Sequence, residues 1–168
     1  MADTAKENRL NSAAMDGLLL STITITASLI NSLVEITGML PATLLWMAKF
    51  GGCIYMLTYI MKQYTNRYPN LSYRGIFKYG LIVCFFSSIV CSGFMLLSLT
   101  ILFPEQLQVA IEQIHTMIAN GTFSAPDEKV LELMIDKLPK ITFITSFIYY
   151  IIIGAVMSSV IANFTKKY

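Results

Sequence analysis

From Ile141 to Phe164 the chain carries no charged residue. At about 1.5 Å per residue, a helix of that length exceeds the ~30 Å hydrocarbon thickness of a bilayer. No other feature limits the fold so strongly, because only helices and closed barrels satisfy their backbone polar groups inside lipid. Three further segments are long and apolar enough to join it: Gly17 to Leu40, Ala42 to Met61 after a break at Pro41, and Ile76 to Phe103. Composition agrees, with 55% hydrophobic and 13% charged residues and a mean hydropathy of +0.63. A soluble domain has about 25% charged residues. The expected fold is therefore all-α, an integral membrane bundle of four transmembrane helices forming a single membrane domain over residues 1–168.

The polar leader MADTAKENRLNSAAMD and the length of the first apolar segment point to a retained helix, since a cleaved signal has an apolar core of only about 7–15 residues. Cys53, Cys84 and Cys91 fall inside the second and third segments without a CxxC spacing or a nearby histidine. They read as buried thiols, and neither a disulfide framework nor a metal site is expected.

Basic residues are unevenly distributed. Lys6, Arg9, Lys62, Arg67, Arg74, Lys78, Lys166 and Lys167 share one side of the four segments, while the other side carries Lys129, Lys137 and Lys140 among six acids between Glu105 and Asp136. The positive-inside rule then puts both termini and the loop KQYTNRYPNLSYRGIFK in the cytoplasm. Tyr59, Tyr64, Tyr68, Tyr73 and Tyr79 gather around that loop, where amphipathic rings favour the headgroup level, and Trp46 falls near the opposite boundary.

The opposite side is expected to hold an amphipathic helical hairpin over 104–140. In PEQLQVAIEQIHTMIANG, Leu107, Ile111, Ile114 and Ile118 share one face and Asn120-Gly121 supplies a stop. In SAPDEKVLELMIDKLP, Ser124 caps, Val130, Leu131, Met134, Ile135 and Leu138 form the apolar set, and Pro139 breaks the helix. The apolar face of such a hairpin suits either a membrane surface or a protein. His115, the one histidine, reads as a solvated side chain on the first limb.

Inside the first segment, Thr24, Ser28, Asn31 and Glu35 repeat at helical spacing as a polar stripe. Such a stripe hydrogen-bonds across helices or lines an ion path. Glu35 lies six residues before Pro41 and Lys49 eight after, about 9 and 12 Å from the turn at the helical rise. Equal depth on antiparallel neighbours makes an intramembrane ion pair available. Two other readings stay open: Lys49 snorkels while Glu35 is protonated, or Glu35 is an ion- or proton-coupled site. Small residues mark packing seams at Gly52, Gly80, Ser87, Gly154 and Ser158, which let helices approach within a bundle or between copies in a homo-oligomer. The cytoplasmic basic cluster Lys62, Arg67, Arg74 and Lys78 is what the positive-inside rule requires; an enzyme acting on a lipid-linked substrate would instead use Arg67, Arg74 and Lys78 to grip a phosphate.

GxGxxG, the P-loop, GxSxG and HExxH are absent, as is a basic aromatic patch for nucleic acid. No cofactor and no catalysis are expected. The phrases SYRGIFKYGLIVCFFSSIVCS, FPEQLQVAIEQIHTMIANG and NFTKKY, and their order along the chain, resemble a bacterial, Bacteroidetes-type family of four-helix membrane proteins, domain of unknown function 4199. The resemblance implies the inner (cytoplasmic) membrane and no mechanism. It also implies a neighbouring polyprenyl-phosphate glycosyltransferase as partner, and so an accessory role in lipid-linked glycan or envelope assembly. The expected function is a non-enzymatic accessory or scaffold subunit in the lipid bilayer. The alternative is a small oligomeric transporter or channel using Glu35.

Overall fold

A computed structural model describes residues 2–33, 39–68, 71–120 and 128–165. The described residues are helical without strands. They form α1 (Ala2–Leu33), α2 (Met39–Arg67), α3 (Tyr73–Leu97), α4 (Pro104–Ala119) and α5 (Glu128–Thr165). A π-helical turn, Ser98–Leu102, extends α3, and the Phe103 N–H donates to the Ser98 carbonyl at 2.8 Å. Four stretches are long and apolar enough to cross a membrane: Arg9–Leu33, Leu40–Arg67, Tyr73–Leu102 and Ile135–Thr165. The chain is a multi-pass membrane protein of the all-α class.

The segment boundaries differ from the sequence reading in three places, each for a local reason. Pro41 does not separate two helices; it lies in the first turn of α2, where its missing N–H has no intrahelical acceptor to lose. The polar leader is the beginning of α1. Pro139 lies inside α5, a helix of 38 residues that continues past the one hydrogen bond the proline removes. The second limb of the expected hairpin is thus the first part of α5. Ser124 and Asp127 lie outside the described residues.

Contacts divide the chain into two compact units, Met1–Cys91 with Phe147–Tyr168, and Ser92–Ser146. In the first, α3 is central. It buries 39% of its spanning window, against 28% for α1 and 17% for α2 and α5. Met61, Ile76 and Val83 are fully enclosed, with Leu57, Ile60, Tyr64 and Ile161 around them. One end of this unit is defined by contacts between distant residues: Arg9 with Tyr68, and the Tyr73 hydroxyl 2.9 Å from the Ser159 hydroxyl. The beginning of α1, the end of α2, the beginning of α3 and the end of α5 therefore meet.

In the second unit, α4 begins with Pro104 at its N-terminus and is capped at Asn120, whose N–H reaches the Thr116 carbonyl at 3.0 Å. Leu107, Ile111, Ile114 and Ile118 are half-buried, while Glu105, Gln108, Glu112 and His115 are exposed, as the periodicity predicts.

Candidate functional site

The first unit is held together by close backbone approach. A Cβ added at Gly154 would stand 2.6 Å from the Cys84 Cβ, and one at Gly80 would stand 2.9 Å from the Ser158 Oγ and 3.0 Å from the Met61 Sδ. Gly17 makes an equally close contact that the spacing of small residues does not reveal, 2.7 Å from the Phe86 Cβ. Gly52 faces Ile23. Ser158 is fully buried and lies 3.5 Å from the Cys84 thiol, and Ser87 is buried 4.0 Å from the Cys91 thiol. All five expected seam residues lie within this unit, and Gly52, Gly80, Gly154 and Ser158 stand directly at its helix–helix contacts.

Between the same helices lies a cleft of about 110 Å³. Its walls are apolar or weakly polar, drawn from α1, α2, α3 and α5, and Lys49 is the one charged residue among them. The Lys49 ammonium lies 5.8 Å from the centre of the Tyr150 ring, within reach of a cation–π attraction. Trp46, exposed at the cleft, stacks on Phe50 one turn on, their rings 5.5 Å apart and 5° from parallel. Thr24 of the polar stripe enters the cleft and meets the Cys53 thiol at 3.6 Å. Ser28 is half-buried and Asn31 is exposed, so the stripe does not continue along the cleft as a polar path. Glu35 lies outside the described residues.

Because α2 starts at Met39, Lys49 is deeper than the turn at Pro41 implies. Ten residues at the helical rise place it about 15 Å along the helix, half the thickness of a hydrocarbon core. A lone charge at that depth costs about 2.5–3.5 kcal/mol on insertion scales, and a cation–π contact offsets about 0.5–2 kcal/mol. Among the described residues the ring of Tyr150 is the partner given to this ammonium. The other polar groups nearby are satisfied locally: the Ser21 hydroxyl donates to the Leu18 carbonyl at 2.7 Å and that of Ser88 to the Cys84 carbonyl at 2.8 Å.

At the end where α1 begins, the basic cluster divides. Arg67 lines a second cavity with Arg9, Ser12, Tyr64 and Tyr68, whereas Lys62, Arg74 and Lys78, exposed like the two arginines, stand outside it. Behind this cavity Tyr64 and Tyr79 stack face to face, and the Tyr79 hydroxyl donates to the Asp16 carboxylate. Sequence reading missed Asp16, which it placed in a polar leader. As the one acid between Arg9 and Leu33, Asp16 was nevertheless visible.

A family model described as a protein of unknown function, DUF4199, matches residues 15–167. No curated protein and no solved structure matches the chain.

Proposed function

The chain belongs to the DUF4199 family of proteins of unknown function, and we propose that it is a non-enzymatic accessory subunit of the membrane that docks another membrane component at the cleft between α2 and α5. The observation that carries this reading is the half-buried Lys49, held against an aromatic ring in an otherwise uncharged cleft. An ammonium so placed is stabilised by an anionic group brought from outside, a carboxylate on a partner helix or a phosphate on a lipid. A glycosyltransferase acting on polyprenyl phosphate, the partner implied by the sequence resemblance, offers both. The basic bias of the end formed by Arg9, Arg67, Arg74 and Lys78 supports placing that end in the cytoplasm.

Co-purification in mild detergent, followed by quantitative mass spectrometry, tests this. The native chain should retain a stoichiometric membrane component that Lys49→Met releases and Gly51→Ala does not. Equal retention by all three would remove the cleft from the function. The alternative, an oligomeric transporter or channel using Glu35, predicts loss of proton-coupled flux in proteoliposomes on Glu35→Gln. A fixed ammonium in the cleft disfavours a cation path there, since it repels like charge in a medium of low dielectric constant.

A further inference from the structure

Two arginines from different helices border one cavity at the end of the first unit. Arg9 of α1 and Arg67 of α2, with Ser12, Tyr64 and Tyr68, line an open cavity of about 310 Å³. The positive-inside rule accounts for basic residues at this end, but it does not account for their convergence. The Arg9 guanidinium lies over the Tyr68 ring at 5.1 Å, which restrains one side of the cavity.

No carboxylate among the described residues lines this cavity. Among the described side chains of the first unit, Asp16 is the one carboxylate, against Arg9, Lys49, Lys62, Arg67, Arg74 and Lys78. Asp16 accepts from the Tyr79 hydroxyl. With its proton directed there, Tyr79 accepts from the Ser12 hydroxyl, 3.2 Å away. Ser12 is then an acceptor toward the cavity, and Arg9, Arg67 and the two phenols are its donors. A cavity with two guanidinium forks and few acceptors suits a tetrahedral oxyanion of more than one charge.

Depth indicates where that anion lies. Arg67 is six residues beyond Met61, the last residue before the first charge at this end of α2, or about 9 Å along the helix. The polar headgroup layer is about 5–8 Å thick on each side of the hydrocarbon core. The Arg67 backbone therefore lies just beyond that layer, and its long side chain brings the guanidinium within reach of lipid phosphates.

We infer that the Arg9–Arg67 cavity binds a phosphoryl group, carried by an anionic phospholipid headgroup or by a soluble phosphate compound. The site does not depend on the Lys49 cleft, which occupies a different depth and different residues.

The full chain, purified in mild detergent, is offered phosphatidic acid or phosphatidylcholine as lipid probes and inorganic pyrophosphate as the soluble probe. Native mass spectrometry reads retained lipid, and a thermal melt reads stabilisation. Phosphatidic acid should be retained over phosphatidylcholine. Arg9→Gln and Arg67→Gln should each lower its occupancy about tenfold, while Lys62→Gln, which removes the same charge outside the cavity, should leave it unchanged. Arg9→Lys, which keeps the charge and loses the fork, should fall between the native chain and Arg9→Gln and guards against misfolding as the cause. Stabilisation by pyrophosphate that Arg9→Gln abolishes, without lipid retention, supports the site and assigns it a soluble phosphate. Equal losses in the Arg9, Arg67 and Lys62 variants would overturn it in favour of diffuse charge, as would a native chain that responds to neither probe.

Discussion

The Lys49 ammonium of α2 stands 5.8 Å from the centre of the Tyr150 ring of α5. The contact links the two spanning helices that bury least of their surface, and it does so beside a cleft with no other charge. If the ring face is what holds the ammonium, replacing Tyr150 with Phe should keep most of the interaction and replacing it with Leu should remove it. A double-mutant cycle of Lys49→Met and Tyr150→Leu, read by thermal melts in one detergent, should return a coupling of about 0.5–2 kcal/mol. A coupling near zero would mean that the ring and the ammonium are neighbours without energetic consequence.

Gly154 and Gly51 make an internal comparison. A methyl at Gly154 meets the Cys84 Cβ at 2.6 Å, whereas one at Gly51 meets nothing within 4 Å. Gly154→Ala should therefore destabilise by about 1–3 kcal/mol through overpacking, and Gly51→Ala should be neutral or slightly stabilising through helix propensity. Melting temperatures of the two variants check the contrast, and similar values would argue that α3 and α5 do not pack as closely as described.

Tyr79→Phe removes the hydroxyl that donates to Asp16 while keeping the ring stacked on Tyr64. The expected loss is about 1–3 kcal/mol, since a hydrogen bond to a charged group is worth more than a neutral one. In an Asp16→Asn background the same change should cost less. Chemical denaturation of the native chain and the three variants measures the difference, and additive effects would sever the link between α1 and α3 at this point.

The spans were legible because insertion into lipid leaves a long apolar run for each crossing; the runs read as ending at Leu40, Met61, Phe103 and Phe164 correspond to stretches that end at Leu33, Arg67, Leu102 and Thr165 in the structure. Turns were less legible. Pro41 and Pro139 look like punctuation, yet the first lies in an opening turn where proline is tolerated and the second lies inside a helix that runs on past it. The amphipathic face of α4 was readable from its period alone. The pairings that build the two cavities were not, because Lys49 with Tyr150, Arg9 with Tyr68, and Asp16 with Tyr79 bring together residues far apart in sequence. Helical spacing predicts which residues share a face; it carries no information on which faces meet.

The proposed orientation rests on the charge asymmetry and is open to direct labelling. With Cys53, Cys84 and Cys91 replaced by Ser, a cysteine at Glu112 should react with a membrane-impermeant maleimide in sealed right-side-out vesicles. One at Lys62 should react only after permeabilisation. The opposite pattern would invert the proposed topology.

The docking role requires that the charge on Lys49 be unmatched within the chain, and Lys49→Met tests that requirement in the purified protein alone. Methionine fills similar space without the ammonium, so the net burden of about 0.5–3 kcal/mol should disappear. At roughly 2–4 °C per kcal/mol for a chain of this size, the melting temperature in detergent should rise by several degrees. A fall of similar size would show that Lys49 already has an anion inside the chain, with Glu35 as the first candidate, and would contradict the proposal that the cleft waits for one from outside.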